Sequence, residues 1–558
     1  MRHERKASMF LPASLLLTAG IVQAQTAELA KLLASDGASS DLFGDSVSFS
    51  GDRALVGAPY DNSPGLDSGS AYVFERQPDG SWTEAAKLTA SDALGFELFG
   101  SSVSLASDRA LIGAPNDYVA GYVTGSAYVF ERQSNGAWVE VAKLVPSDGS
   151  DTDNFGAAVS LSGDRSLVGA WGDDDKGSSS GSAYAFERQS NGAWVQSAKL
   201  LASDGAAGDN FGYSLSLQGD RALVGAWQDD DQGANAGSSF VFERQSNGTW
   251  LETAKLLASD GAAGDRCGRS VSLDGDRALT GAPNDDVGQA LDAGSAHVFE
   301  LQGSVWVETQ ELVADDVEEG SIFGFSVSLR GDRALIGAAG GGPQALGPGS
   351  AYAFERSSNG TWIQTAKILS SDGETADEFG YSVSLSGDRA LVSARQDDDL
   401  GANAGSAYLF DLLPLSSTVT EISLSTGGTQ PLELDAGHLH PNEPYLLLGS
   451  MSGTSPGVPL AGGFVLPLNP NRYFVRTLEF PNRAPLSNSR GTLNAAGHAD
   501  ASFSIVPLDV QLAGTTVHHA FATLGSIAAA STSSSSSSAP SPALATFVSN
   551  AFPIVFVP

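Results

Sequence analysis

The chain has 558 residues, 65 acidic against 30 basic, for a formal net charge of −35, and 41% of it is apolar. A field of that sign repels phosphate backbones and anionic headgroups, which excludes nucleic acid and a peripheral anchor on anionic lipid. A single cysteine, Cys267, excludes an internal disulfide framework and a zinc site built on thiolates, while 65 glycines point to many tight turns.

From the N-terminus, Arg2, Arg5 and Lys6 precede an apolar stretch from Phe10 to Val22, and Val22-Gln23-Ala24 offers a small-residue cleavage site. This pattern predicts a signal peptide over residues 1–24 with Gln25 as the first mature residue. The apolar stretch is shorter than the ~20 residues that span a bilayer, and no later run reaches that length. The expectation is an exported protein without a transmembrane segment, located outside the cell, on its surface or in the periplasm.

A repeat organises most of the chain. Phe-Gly pairs start at Phe43, Phe99, Phe155, Phe211, Phe323 and Phe379, with Cys267 in the remaining slot, so each step is 56 residues. Asp52-Arg53, its six later copies, and Trp82, Trp138, Trp194, Trp250, Trp306 and Trp362 keep the same interval. Each unit holds four strand signals, in the first unit Ser46 to Ser50, Arg53 to Pro59, Ser70 to Arg76 and Trp82 to Leu88. Asn-Gly at the turn before the tryptophan in later units (Asn135-Gly136, Asn191-Gly192) signals a tight hairpin. Four antiparallel strands per unit, repeated seven times, predict an all-β, seven-bladed β-propeller over 25–414. The seventh unit stops at Phe410 without its tryptophan strand. Glu28-Leu29-Ala30-Lys31-Leu32 matches Ala86-Lys87-Leu88 at the 56-residue interval. The N-terminal strand is therefore expected to close the last blade and hide both edges.

Phe43-Gly44-Asp45-Ser46-Val47 followed by Gly57-Ala58-Pro59 resembles the FG-GAP repeat of the integrin α-subunit propeller and of many bacterial secreted proteins. The resemblance implies adhesion or extracellular recognition and no catalysis. It does not extend to the family's Asp-x-Asp-x-Asp-Gly calcium loops, because the place between the first two strands holds only a short turn such as Ser162-Gly163-Asp164-Arg165. Two turn residues cannot wrap six or seven oxygens around Ca²⁺.

Topology puts the loop between strands two and three and the link between blades on one face, opposite the tight turns. The loops there carry Asp173-Asp174-Asp175, Asp229-Asp230-Asp231 and Asp397-Asp398-Asp399, and the links add Asp148, Asp204 and Asp372 among others. These nine loop aspartates are the candidate metal ligands, with Ca²⁺ as the candidate cofactor; the competing reading is turn-forming, solvated charge. The third position of the Gly-Ala-Pro slot becomes Trp171 and Trp227 in adjacent units, which makes these two the candidate ligand-binding residues, able to stack on a sugar or a cationic group.

After 414 the repeat ends. Residues 415–558 hold only seven acids and four arginines, so nearly all of the negative charge belongs to the repeats. Alternating stretches predict a small β-sandwich-like domain with a Ser-rich loop at 531–541. His438, His440, His518 and His519 are weak metal candidates. No His-Glu-x-x-His helix or phosphate loop occurs, so no enzyme activity is expected. The function expected is exported, non-catalytic recognition of an extracellular protein or polysaccharide through the acidic long-loop face. A structural surface or envelope component is the alternative, and a propeller-based hydrolase or lyase a weaker one.

Overall fold

The computed structural model describes residues 27–340, 347–357 and 359–412, and beyond them only the backbone of strands between 415 and 557. The expected signal peptide, the Gly-rich loop of the sixth unit beyond Gly340, His438, His440 and the Ser-rich tract lie outside the described residues.

Seven four-stranded antiparallel sheets form the ring. In the first, Ser46–Ser50, Arg53–Ala58, Ser70–Arg76 and Trp82–Leu88 hydrogen-bond in that order. The pattern of each strand reflects what covers it. Ala54 to Ala58 are all buried because neighbouring blades cover both faces, so the strand is an apolar run without alternation. The outer strand alternates, with Thr83 and Ala85 exposed, because its far face meets water. The fold class and the closing strand are as the repeat predicts. Ala27–Leu32 pairs antiparallel with Ser406–Asp411 and completes the seventh blade. One addition has no sequence precedent: a two-stranded ribbon, Tyr118–Val119 with Tyr122–Val123, in the second blade's long loop.

The core lies between blades. Leu55, Val73 and Leu88 of the first blade pack with Phe99, Ile112, Tyr128 and Phe130 of the second. Phe99 is fully buried and meets Tyr128 edge-on, with ring centroids 5.5 Å apart. Beside it, Gly57 faces Gly100 across the seam, and a Cβ on Gly57 would fall well inside contact with the Gly100 carbonyl oxygen. The two glycines of the motif therefore let neighbouring backbones touch.

Serines on the inner strands tie one blade to the next. Ser48 Oγ accepts from the Leu105 amide at 2.9 Å, and the same contact recurs around the ring. The closing seam uses it as well: Ser382, Ser384 and Ser386 accept from Val47, Phe49 and Gly51 at 3.1, 3.0 and 2.8 Å. On the tight-turn face, Glu75 holds Arg53 of its own blade at 2.9 Å and Arg132 of the next at 2.7 Å. Arg389 closes that ring onto Asp52 at 3.2 Å.

Beyond 414 the strands form two larger sheets. One orders Leu415–Ser416, Gly428–Asp435, His498–Ile505 and Leu486–Ser487. The other contains Glu421–Ser423, Phe552–Val557, Thr516–Gly525, Pro444–Ser450 and Arg490–Thr492, with His518 and His519 on its central strand.

Removing residues 27–32 strips the seventh blade of its outer strand and leaves Asp397 without its ammonium partner. The expected cost is at least the roughly 3–5 kcal/mol of breaking a buried ion pair. It should read as a lowered melting temperature, together with association through the exposed edge in size-exclusion chromatography.

Candidate functional site

The acidic face is built by a unit that recurs from blade to blade. In the third blade, Asp173 begins the long loop right after the second strand and is buried. Its Oδ1 accepts the Asp175 amide at 3.0 Å, and its Oδ2 lies 3.0 Å from Ser182 Oγ and 2.9 Å from Tyr184 Oη. The Tyr184 hydroxyl also lies 3.0 Å from Asp148 on the link that precedes the blade. Lys199, near the end of the outer strand, places its ammonium among these groups, 2.7 Å from Asp173, 2.7 Å from Asp175 and 3.0 Å from Asp148. Lys255 repeats this with Asp204, Asp229 and Asp231 at 2.9, 2.8 and 2.6 Å, and Lys31 with Asp372, Asp397 and Asp399 at 2.8, 2.8 and 2.7 Å. Lys87 and Lys143 bind Asp61 and Asp117 in the first two blades.

Of the candidate metal ligands, then, the first and third aspartates of each loop converge, and a lysine ammonium stands between them. The middle ones turn away: Asp174, Asp230 and Asp398 accept the amides of Ser179, Asn235 and Asn403 at the loop tips. The three loops belong to separate blades and share no site. Burial works against the charge of Lys199, but its carboxylates outweigh it and hold the ammonium well above its usual range. Burial likewise pushes Asp173 up, and the Lys199 bond overcomes it, leaving that carboxyl below its ordinary value. The lysine was readable in the sequence as another 56-residue series (31, 87, 143, 199, 255, 367); its carboxylate partners were not, since they sit 24 to 51 positions away in the first four blades and the sixth, and over 340 in the last.

The fifth blade departs from this unit. Glu311 takes the lysine place, and Asp260, Asp285 and Glu311 bring three carboxylate oxygens within 4.8 Å of one another, an acidic cluster of the kind that can hold a metal. His297 stands in the tyrosine slot, buried, with Nδ1 2.9 Å from Glu308 and Nε2 3.0 Å from Ser295 Oγ. Burial opposes its protonation, but Glu308 raises it above the ordinary histidine value. Cys267 is buried, and burial pushes its thiol above the normal range.

A second periodic set lies two residues before the Phe-Gly slot in six of the seven units: Asp41, Glu97, Asp153, Asp209, Asp265 and Asp377, all buried. Each accepts the backbone amide three residues earlier, as Asp153 does from Ser150 at 2.6 Å. Burial raises all six, with Asp153 and Asp377 pushed up to about 6.

At the centre of the same face, the residues following Phe-Gly converge on the axis. A cavity of about 350 Å³ is lined there by Asp45, Trp171, Tyr213, Arg269, Phe325 and Tyr381, with serines from the inner strands. Trp171 lines the cavity. Trp227 stands one blade further, packed on Tyr213 with centroids 5.4 Å apart and covered by Arg266 at 5.0 Å. Arg395 fills the same slot in the seventh blade, stacked 3.6 Å from the Tyr381 centroid and bonded to Asp45 at 2.9 Å and Glu378 at 2.6 Å. Tyr213, Arg269, Phe325 and Tyr381 escaped the reading of the sequence. Their signal is present in it, as a position of the motif that varies from unit to unit.

The FG-GAP repeat family matches seven segments, residues 26–74, 82–130, 138–186, 194–242, 250–299, 306–354 and 362–410. Each segment begins on the outer strand of one blade and runs through three strands of the next, so the repeat in sequence is offset from the blade in space. No curated protein matches the chain.

Two sets of measurements check these assignments. Lys255→Met leaves buried Asp229 without its counter-ion and should cost about 1–3 kcal/mol in denaturant unfolding. Glu311→Lys should restore the common unit and raise stability. For pH, Asp153 and Asp377 hold their protons more tightly folded than unfolded, so stability falls as pH rises from about 4 to about 6. Asp36, Asp92, Asp173 and Asp397 are depressed and act oppositely. Their stabilisation is present above the ordinary carboxylate value and is lost as pH falls through their folded values. Thermal melts should therefore peak near about pH 4, where the raised carboxyls still hold their protons and the depressed ones are already ionised in the folded state. Asp153→Asn should raise the melting temperature at about pH 8 and leave it unchanged at about pH 4.

Proposed function

The chain belongs to the FG-GAP repeat family, and from that membership we propose an exported, non-catalytic recognition protein whose binding site is the axial cavity on the long-loop face. FG-GAP propellers suggest an interaction or adhesion module. The observation that carries the proposal is the cavity itself, where Trp171, Tyr213, Phe325, Tyr381 and Arg269 converge. Elsewhere the ring repeats one unit, and here different side chains from successive blades meet, which is what a distinct ligand requires. The partner is an extracellular protein or a polysaccharide.

The non-catalytic reading draws on the carboxylates. In six blades the ones that approach one another are held by a lysine, as with Asp173 and Lys199 at 2.7 Å, and do not stand as a free acid and base. Calcium is not a requirement of this role, since the loops expected to bind it carry their own ammonium. The N-terminal segment supports export, which secretion of a tagged chain with loss of residues 1–24 tests directly.

Trp171→Ala should reduce binding at least about tenfold in a glycan array or a pull-down of surface proteins, with the melting temperature unchanged. Trp227→Ala should lower the melting temperature as well, because its indole packs behind Tyr213. Ligand binding unaffected by Trp171→Ala moves the site elsewhere. Absence of any ligand with self-assembly on concentration favours the structural component.

A further inference from the structure

Sixteen arginines are described in the ring, and all but two have a carboxylate within ion-pair distance. The exceptions, Arg266 and Arg269, flank the Cys267-Gly268 pair of the fifth blade. In a chain with 65 acids and 30 bases, a guanidinium has an abundance of partners. Arg269 instead lies between two rings, 4.7 Å from the Tyr213 centroid and 4.4 Å from that of Phe325, and lines the axial cavity. Among the described residues, the only acid of the cavity wall is Asp45, and it is taken by Arg395 at 2.9 Å.

We propose that Arg269 anchors the carboxylate of a sugar acid in the axial cavity, and that this protein recognises a uronate-bearing glycan. The proposal rests on the recognition reading above and gives it a ligand class. A guanidinium placed between two aromatic rings has N–H donors that the rings do not hydrogen-bond, and a carboxylate can accept two of them. One cation without a counter-ion among the described residues of the cavity matches one negative charge. A phosphate, with nearly two, would also meet the Asp45 carboxylate in the same cavity wall.

The rest of the lining selects the body of the ligand. Trp171 presents ring surface suited to the apolar face of a pyranose, while Tyr213, Phe325 and Tyr381 hold the arginines beside it. The inner-strand serines supply hydroxyls with capacity left over. Ser214, Ser270 and Ser326 donate to glycine carbonyls of the next blade and keep acceptor lone pairs. Ser102 and Ser382 accept from Val159 and Val47 and keep a donor. A wall of hydroxyls beside aromatic rings suits a polyol better than an apolar peptide side chain. A volume of about 350 Å³ is at the lower end for ligand sites and admits a small unit rather than a long segment. The aspartates at the rim disfavour a polyanion, so the uronate stands at a chain end or among neutral sugars.

The test is calorimetric or saturation-transfer titration of the full chain with glucuronate, galacturonate, glucose, and N-acetylphenylalanine with its amide. The expected result is that at least one uronate binds, glucose binds at least about tenfold more weakly, and salt raised from about 50 to about 500 mM weakens the uronate. Arg269→Gln should abolish that preference with the melting temperature unchanged. The discrimination between uronate and glucose in the unaltered chain stands as evidence even where the variant does not fold. Equal binding of glucose and uronate, or uronate binding unaffected by Arg269→Gln, overturns the anchor while leaving recognition through Trp171 intact. N-acetylphenylalanine binding through Arg269 in place of the sugars overturns the glycan and assigns a peptide carboxylate. No binding of any of these acids overturns the proposal.

Discussion

Every large hydrophobic cluster of the ring is shared by two blades, so the packing of one sheet on the next is the constraint on which the other features depend. The first blade contributes Leu55, Val73 and Leu88 to the core that holds Phe99 and Tyr128 of the second. The seventh meets the first in the same way, with Leu391, Ala407 and Leu409 beside Phe43 and Phe49. A single blade leaves both faces wet and is not stable alone. Both parts of the motif serve this seam: the buried phenylalanine fills it, and the paired glycines bring the backbones close enough for serine hydroxyls to bridge inner strands.

Closing the ring places the charge. In five blades the long loop lies beside the outer strand and the preceding link, and its first aspartate comes within reach of one lysine. The arrangement puts one ammonium among two or three carboxylates, partly shielded from water, where the attraction exceeds that of an exposed pair. Much of the negative charge is thereby internal structure rather than a free field. Only the fifth blade lacks its lysine, and that blade also brings the two arginines without acids. The repeat is thus broken at one azimuth on both the loop rim and the axis.

The repeat made most of the fold legible. The blade number, the strand order, the tight turns and the exchange of the N-terminal strand into the last blade could be read from residues such as Phe43, Trp82 and Lys31, because each recurs at one interval. The acidic face was legible as well. Lys199 and its equivalents occur on a different strand, and their place among these aspartates emerges only when strand four lies beside the long loop. Trp171 and Trp227 looked alike in sequence and separate in space: one lines the cavity, and the other is covered by Arg266 and Tyr213.

What this sequence determined by itself is the closed ring. A 56-residue period with four strand signals per unit gives seven like sheets, and a strand missing at one end and spare at the other fixes their closure into a ring. What only the tertiary structure decided is which charges are spent and which are free. Asp45 and Arg395 are 350 positions apart and Lys31 and Asp397 are 366 apart, yet each pair lies in contact. Ion pairing depends on distances of a few ångströms, and separation along the chain does not encode them. Arg269 is free because folding puts Tyr213 and Phe325, not a carboxylate, on either side of it.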